Sequence, residues 1–246
     1  MLLRRIIEHV KAQNWTAVAL DFVIVVVGVF MGIQVSSWNE ARADRNAYES
    51  ALLRLGVEID ANLEAVANAH AELQESVPRV TLAIDALRKC ATGPDAEAAI
   101  AAGVNEAQIT RGVHFRMSAL KEITEDPTML NQQTEDERRD FQDLRYLLGI
   151  IQYESDFVEL KPLDDPVWRR RGLAPGPLED MKYDYRGIQW TFPTRKLVLT
   201  VPPDEVCEDV SVIASLYEWE RLQGWLTALF VNATEALTDA KAGLAR

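Results

Sequence analysis

Thiols, imidazoles and cationic side chains are all in short supply in this 246-residue chain. There are two cysteines and three histidines, and His9, His70 and His114 lack the close spacing of a metal site. No CxxC, HExxH, GxSxG or glycine-rich phosphate loop occurs. Enzymatic, cofactor and metal chemistry are therefore not expected. Acids are plentiful, but Asp136, Glu137 and Asp140 recur at helical spacing with no apolar pocket in view, as on a solvated face. Lysine and arginine number 26 against 38 aspartates and glutamates, a net charge of −12. Nucleic acid is not an expected partner of so acidic a chain. Glycine and proline, 12 and 10 residues, are too few for a low-complexity chain. Long apolar runs are missing too, with one exception near the start.

That exception runs from Trp15 to Trp38. Between Ala17 and Val35 it is apolar except for Asp21 and Gln34. Nineteen residues at about 1.5 Å each give roughly 28 Å of helix, close to the hydrocarbon thickness of a bilayer. Trp15 and Trp38 flank the run as interface anchors, because amphipathic rings favour the headgroup layer. A lipid bilayer is thus the first expected partner. At about 100° per residue, Asn14, Ala17, Asp21, Gly28, Gly32, Val35 and Asn39 form one stripe. Helices meet in lipid through small residues and polar contacts, so Asp21, Gly28 and Gly32 are the candidate helix-contact residues. They point to a homo-oligomer or to another membrane protein. Asp21 admits three roles: a hydrogen-bonding group between helices, a carrier of protons or ions as in stator-type motor subunits, or a side chain that snorkels to the interface.

The run from Asp21 to Glu40, DFVIVVVGVFMGIQVSSWNE, resembles the N-terminal signature of a bacterial family of unknown function. In that signature an acidic residue opens an aliphatic span, a glycine follows seven residues on, and the span closes in Gln, small polar residues and Trp-Asn-Glu. Here these are Asp21, Gly28, Gln34, Ser36, Ser37, Trp38, Asn39 and Glu40. The likeness covers about forty residues from Arg4, and it implies a single-span inner-membrane protein without implying an activity.

Upstream, Arg4, Arg5 and Lys11 with Leu3, Ile6, Ile7 and Val10 form a short amphipathic lead-in suited to the inner leaflet. Lys and Arg are balanced across the span, three in residues 1–16 and three in 37–56. The amino terminus adds a charge to the first group, so N-terminus inside, with a periplasmic domain, is expected. Ala41-Arg42-Ala43 fits a signal-peptidase pattern, but the apolar core is too long and too distant for a cleaved leader.

The remainder is predicted to be mainly α, an extended helical bundle with a small strand-containing insertion. The expected organisation is a cytoplasmic lead-in (1–14), a transmembrane helix (15–38), a helical region (39–162), an irregular or β-hairpin region (163–203) and a long C-terminal helix (204–246). A seam through Ala41, Arg45, Tyr48, Leu52, Leu55, Ile59, Leu63, Val66, His70, Leu73 and Val77 steps by threes and fours, with one stutter after Ile59. Leu53, Val57 and Ala67 are expected to widen that apolar face, and Glu58 to be solvated. Ser76-Val77-Pro78 marks a kink or a hairpin, and Thr92-Gly93-Pro94 a stop. A short alanine-rich helix should end at Gly103, and Ser118 should cap another that ends at Asp126-Pro127. Thr134 and Glu137 spell a capping box for a helix reaching about Leu160. Beyond it, Ile188–Val201 is strand-like. Trp168-Arg169-Arg170-Arg171 is a lone basic cluster, able to meet anionic headgroups or an acidic partner, or to balance Asp164 and Asp165 locally. Tyr217, Trp219 and Trp225 are expected in the core.

Cys90 and Cys207 either bridge, as an oxidising compartment allows, or remain two structural thiols. Function is expected to be that of an anchor, scaffold or accessory interaction protein. The rival expectations are an ion-coupled subunit using Asp21 and a periplasmic ligand sensor built on 163–203.

Overall fold

The computed structural model describes residues 15–164, 166–185 and 188–244, with side chains from Leu20 onward except those of Asp21, 162–165 and 183–188. The lead-in, the Trp15 and Asp21 side chains and those of Asp164 and Asp165 lie outside the described residues.

One helix, α1 (Trp15–Arg88), carries both the apolar run and the heptad seam. Pro78 sits inside it without breaking it. The missing N–H costs a backbone bond, but Leu73, Val80, Ile84 and Leu87 are buried on both sides of the proline. The apolar stripe stays in phase, so burial outweighs the lost bond and no hairpin forms. α1 ends where Ala91 N–H bonds Ala86 O and Cys90 takes φ 43°, a position usually given to glycine.

Gly93, at φ 94°, turns the chain into α2 (Pro94–Glu106). Gly103 does not stop this helix. A Cβ there would lie 2.2 Å from that of Ala83, so Gly103 is where α2 crosses α1 closely. The poorly patterned stretch that follows is held by side chains. Asn62 bonds both N–H and C=O of Arg116, Gln152 accepts from Phe115 N–H, and Ser155 from Val113 N–H.

α3 (Ser118–Glu125) is capped from outside itself. Buried Glu58 accepts from the N–H groups of Ala119 and Leu120 at 2.9 and 3.0 Å and from the Ser118 hydroxyl. Glu58 is therefore a tertiary helix cap and not a solvated acid; its charge also complements the helix N-terminus. α4 (Pro127–Gln132) starts at Asp126, whose carboxylate accepts from Thr128 N–H. α5 (Glu135–Asp164) opens on the Thr134/Glu137 capping box and runs four residues past Leu160.

The insertion is an antiparallel hairpin of β1 (Leu173–Tyr185) and β2 (Ile188–Leu199), with Leu173 opposite Leu199 and a bulge between Pro175 and Leu178. A two-stranded sheet has only edges, which is why its prolines are tolerated. Asn105 closes one edge onto α2, bonding both N–H and C=O of Leu197. Leu173 and Leu197 are buried at the base, whereas Leu178, Trp190 and Phe192 are exposed.

The C-terminal helix is two pieces, α6 (Pro203–Val206) and α7 (Val210–Leu244). α7 runs antiparallel to α1, with Thr81 bonded to Glu220 and Lys241 paired with Asp60. The result is mainly α, with two apolar cores. The first gathers Leu55, Ile59, Ile123, Leu148, Ile151 and Phe230; the second gathers Leu87, Ile100, Val104, Leu197, Leu216 and Trp219.

Of Tyr217, Trp219 and Trp225 only Trp219 is core, 4 % exposed, with its Nε1–H donated to Ile109 O at 2.9 Å. Tyr217 and Trp225 face outward. They lie off the buried stripe of Leu216, Trp219, Leu222, Leu226 and Leu229.

Candidate functional site

Among the described residues α1 holds the one helix segment long and apolar enough to cross a membrane, and none of that segment is covered by the rest of the protein. Phe22 to Val35 expose Phe, Val, Ile and Met side chains throughout. Gly28 and Gly32 would meet nothing within 4 Å if given a Cβ, so their face stands open. Trp38, at the end of the run, is exposed with the Arg42 guanidinium 5.8 Å from its ring centroid, a cation–π pairing.

Leu53 and Val57 do not widen the core stripe as periodicity suggested. They are 74 % and 70 % exposed. At about 100° per residue, Gly28, Gly32, Leu53 and Val57 fall within an arc of about 60°, opposite the buried Tyr48, Leu55, Ile59 and Val66. One continuous outer face of α1 thus carries small residues in the apolar segment and bare aliphatic ones in the domain.

At the far end of α1, Cys90 and Cys207 form a disulfide with Cα atoms 5.4 Å apart, tying α1 to α6 across 117 residues of sequence. The basic run divides. Arg169 and Arg171 are exposed, whereas Arg170 is half-buried and donates through Nε to Ser215 Oγ at 3.1 Å. Asp209 is held below the usual carboxylate range, first by the Ser211 hydroxyl and then by the Ser211 N–H, Arg170 and the Arg171 backbone; partial burial opposes them.

The fold also assembles groups with no sequence signature. His114 stands between two carboxylates of α5, Nε2 3.2 Å from Glu159 and Nδ1 3.7 Å from Asp156, with Gln152 Nε2 3.0 Å from Nδ1. Their ligand atoms lie within 4.8 Å of one another, so these residues have the donor set for a divalent cation. Glu159 has room because Gly112 lacks a Cβ, which would lie 2.6 Å from its Oε1. Separations of 42 and 45 positions in sequence hid this cluster from any spacing rule. Arg111 and Glu106 form an ion pair at 2.7 Å, extended by Arg79 and Glu72. His70, on the seam, is half-buried.

Tyr48 is buried where α1 leaves the apolar segment, and its hydroxyl has no partner. Burial first, then the Glu137 carboxylate, push its pKa up to about 12, against a smaller pull from Arg45.

Comparison with family models, with curated proteins and with solved structures gives no match for this chain.

Proposed function

We propose that the protein is a single-pass bacterial inner-membrane anchor or scaffold with a helical periplasmic domain, associating through the Asp21, Gly28 and Gly32 face. The observation that carries this reading is the unbroken α1, in which an uncovered apolar segment continues directly into the core stripe of a folded domain. A rigid connection of this kind transmits the position of a membrane helix to a domain outside it. Two further observations support it. The outer face of α1 carries its exposed aliphatic pair, Leu53 and Val57, in line with Gly28 and Gly32. The Cys90–Cys207 disulfide suits an oxidising compartment, as the periplasm is. The partner on this face is a second copy or another membrane protein.

The test is crosslinking in membranes alongside the cellular phenotype. Gly28→Ile and Gly32→Ile hold helix backbones apart and should lower crosslinking; Leu53→Ser with Val57→Ser should lower it less. Asp21→Leu should weaken association by about 1–2 kcal/mol, the scale of polar contacts between spans, while Asp21→Asn keeps it. An Asp21→Asn variant that assembles fully but loses function would instead favour an ion-coupled subunit. Unchanged crosslinking in all the glycine and Asp21→Leu variants would refute the contact face.

A further inference from the structure

Between the two apolar cores lies a cavity of about 40 Å³, or about 470 Å³ counting its open mouth. α2 and the segment after it bring Ala107 and Thr110 to its wall, α5 brings Val158 and Lys161, and α7 brings Glu218 and Gln223. Gln223 occupies a place in the α7 core stripe, flanked by buried Leu222 and Leu226, where Leu or Met would complete the pattern. It is 0 % exposed, and neither its Oε1 nor its Nε2 has a hydrogen-bond partner. A buried amide lacking every partner is rare and destabilising, and each instance calls for a reason.

The other polar groups of the wall are engaged. The Thr110 hydroxyl donates to Glu159 O, and that of Ser215 donates to Ser211 O while accepting from Arg170. At the mouth the Lys161 ammonium lies 3.6 Å from the Glu218 carboxylate, so both signs of charge are present. The wall therefore includes one fully buried amide without a protein partner, and an ion pair lies at the mouth.

We propose that this cavity binds a small uncharged or zwitterionic polar molecule of the amide or α-amino-acid type. An amide edge of the ligand supplies both the acceptor and the donor that Gln223 lacks, and an amino acid does so with its carboxylate as acceptor and its ammonium or hydroxyl as donor. A zwitterion also answers both charges at the mouth, whereas an ion of one sign answers only one of them. Inner space for about three waters limits the buried part of the ligand to a few heavy atoms, with the rest reaching into the mouth. The site is independent of the outer face of α1, so either proposal stands if the other fails.

Thermal unfolding of the full chain in mild detergent, titrated with acetamide, glycine or L-serine, tests this. At least one probe should raise Tm in proportion to the logarithm of its concentration, by about 5 °C or more at a hundredfold excess over Kd. Gln223→Met should abolish the rise while unfolding no earlier than the parent, because it removes an unpaired amide at nearly constant volume. Glu218→Gln, at a partly exposed position, should weaken glycine and L-serine about tenfold and leave acetamide unchanged, even if Gln223→Met fails to fold. No shift with any probe would mean that the cavity holds water alone, and an equal shift in Gln223→Met that the probe acts elsewhere; either result would overturn the proposal.

Discussion

Val23 and Leu55 lie on the same helix, of similar composition, and have opposite surroundings. Val23 is 53 % exposed and Leu55 is 1 % exposed. In the first segment α1 is apolar on nearly every face and nothing covers it; in the second the core stripe is covered by α2, α3, α4 and α7. A helix apolar all round asks for an apolar solvent, while a striped one asks for neighbours. The two requirements meet without a break in the backbone, so the boundary between them is a change of side chains alone.

The comparison can be broken at three points, taken from the largest expected effect downward. The far end of α1 is stapled covalently to α6. Replacing Cys90 and Cys207 by serine should destabilise the domain by up to about 4–5 kcal/mol, the chain-entropy ceiling for a loop of this length. Denaturant unfolding of the detergent-solubilised chain with and without reductant measures it. Complete alkylation of both thiols without reductant would remove the staple from the picture.

Truncation at Leu55 and at Val26 separates the segments directly. Leu55→Ala should cost about 2–5 kcal/mol, because the packed wall around it cannot collapse fully into the cavity. Val26→Ala, on the uncovered segment, should leave domain unfolding within about 0.5 kcal/mol of the parent. Equal losses would show that the apolar segment packs on the domain after all.

At the junction, Tyr48 provides a reading by pH. Its folded pKa, about 12, lies above the ordinary 10, so the native state holds the phenol proton more tightly. The stability this contributes is complete below pH 10 and is lost as pH rises towards 12, by about 2–3 kcal/mol. Tyr48→Phe should remove that slope and leave stability at neutral pH unchanged or slightly higher, since the buried hydroxyl has no partner to lose. Urea unfolding at a series of alkaline pH values checks both statements.

The apolar run, the capping box at Thr134 and Glu137 and the long periodic stretches of α1, α5 and α7 were all legible in order along the chain. Each depends on residues within a few turns of one another, and hydrophobic period and cap chemistry act over that range. Periodicity failed where a partner decided the outcome. Leu53 and Val57 fit a widened stripe as well as they fit an outer face; only the positions of α3 and α7 leave them bare. Gly103 looked like a stop, until the approach of Ala83 gave its missing Cβ a purpose. Pro78 was ambiguous because its local cost is fixed while the burial on either side is not.

What the sequence by itself determined is the long helices and the one long apolar segment, because both follow from side-chain pattern and backbone geometry. Tertiary structure alone decided the Glu58 cap on α3, the Asn105 clasp on β2, the pairing of Cys90 with Cys207, the cluster of His114 with Asp156 and Glu159, and the stranding of the Gln223 amide. Most of these join residues more than forty positions apart, and the last is a failure to find any partner. Polar groups bond within about 3 Å, a range that sequence order does not encode and that packing alone brings about.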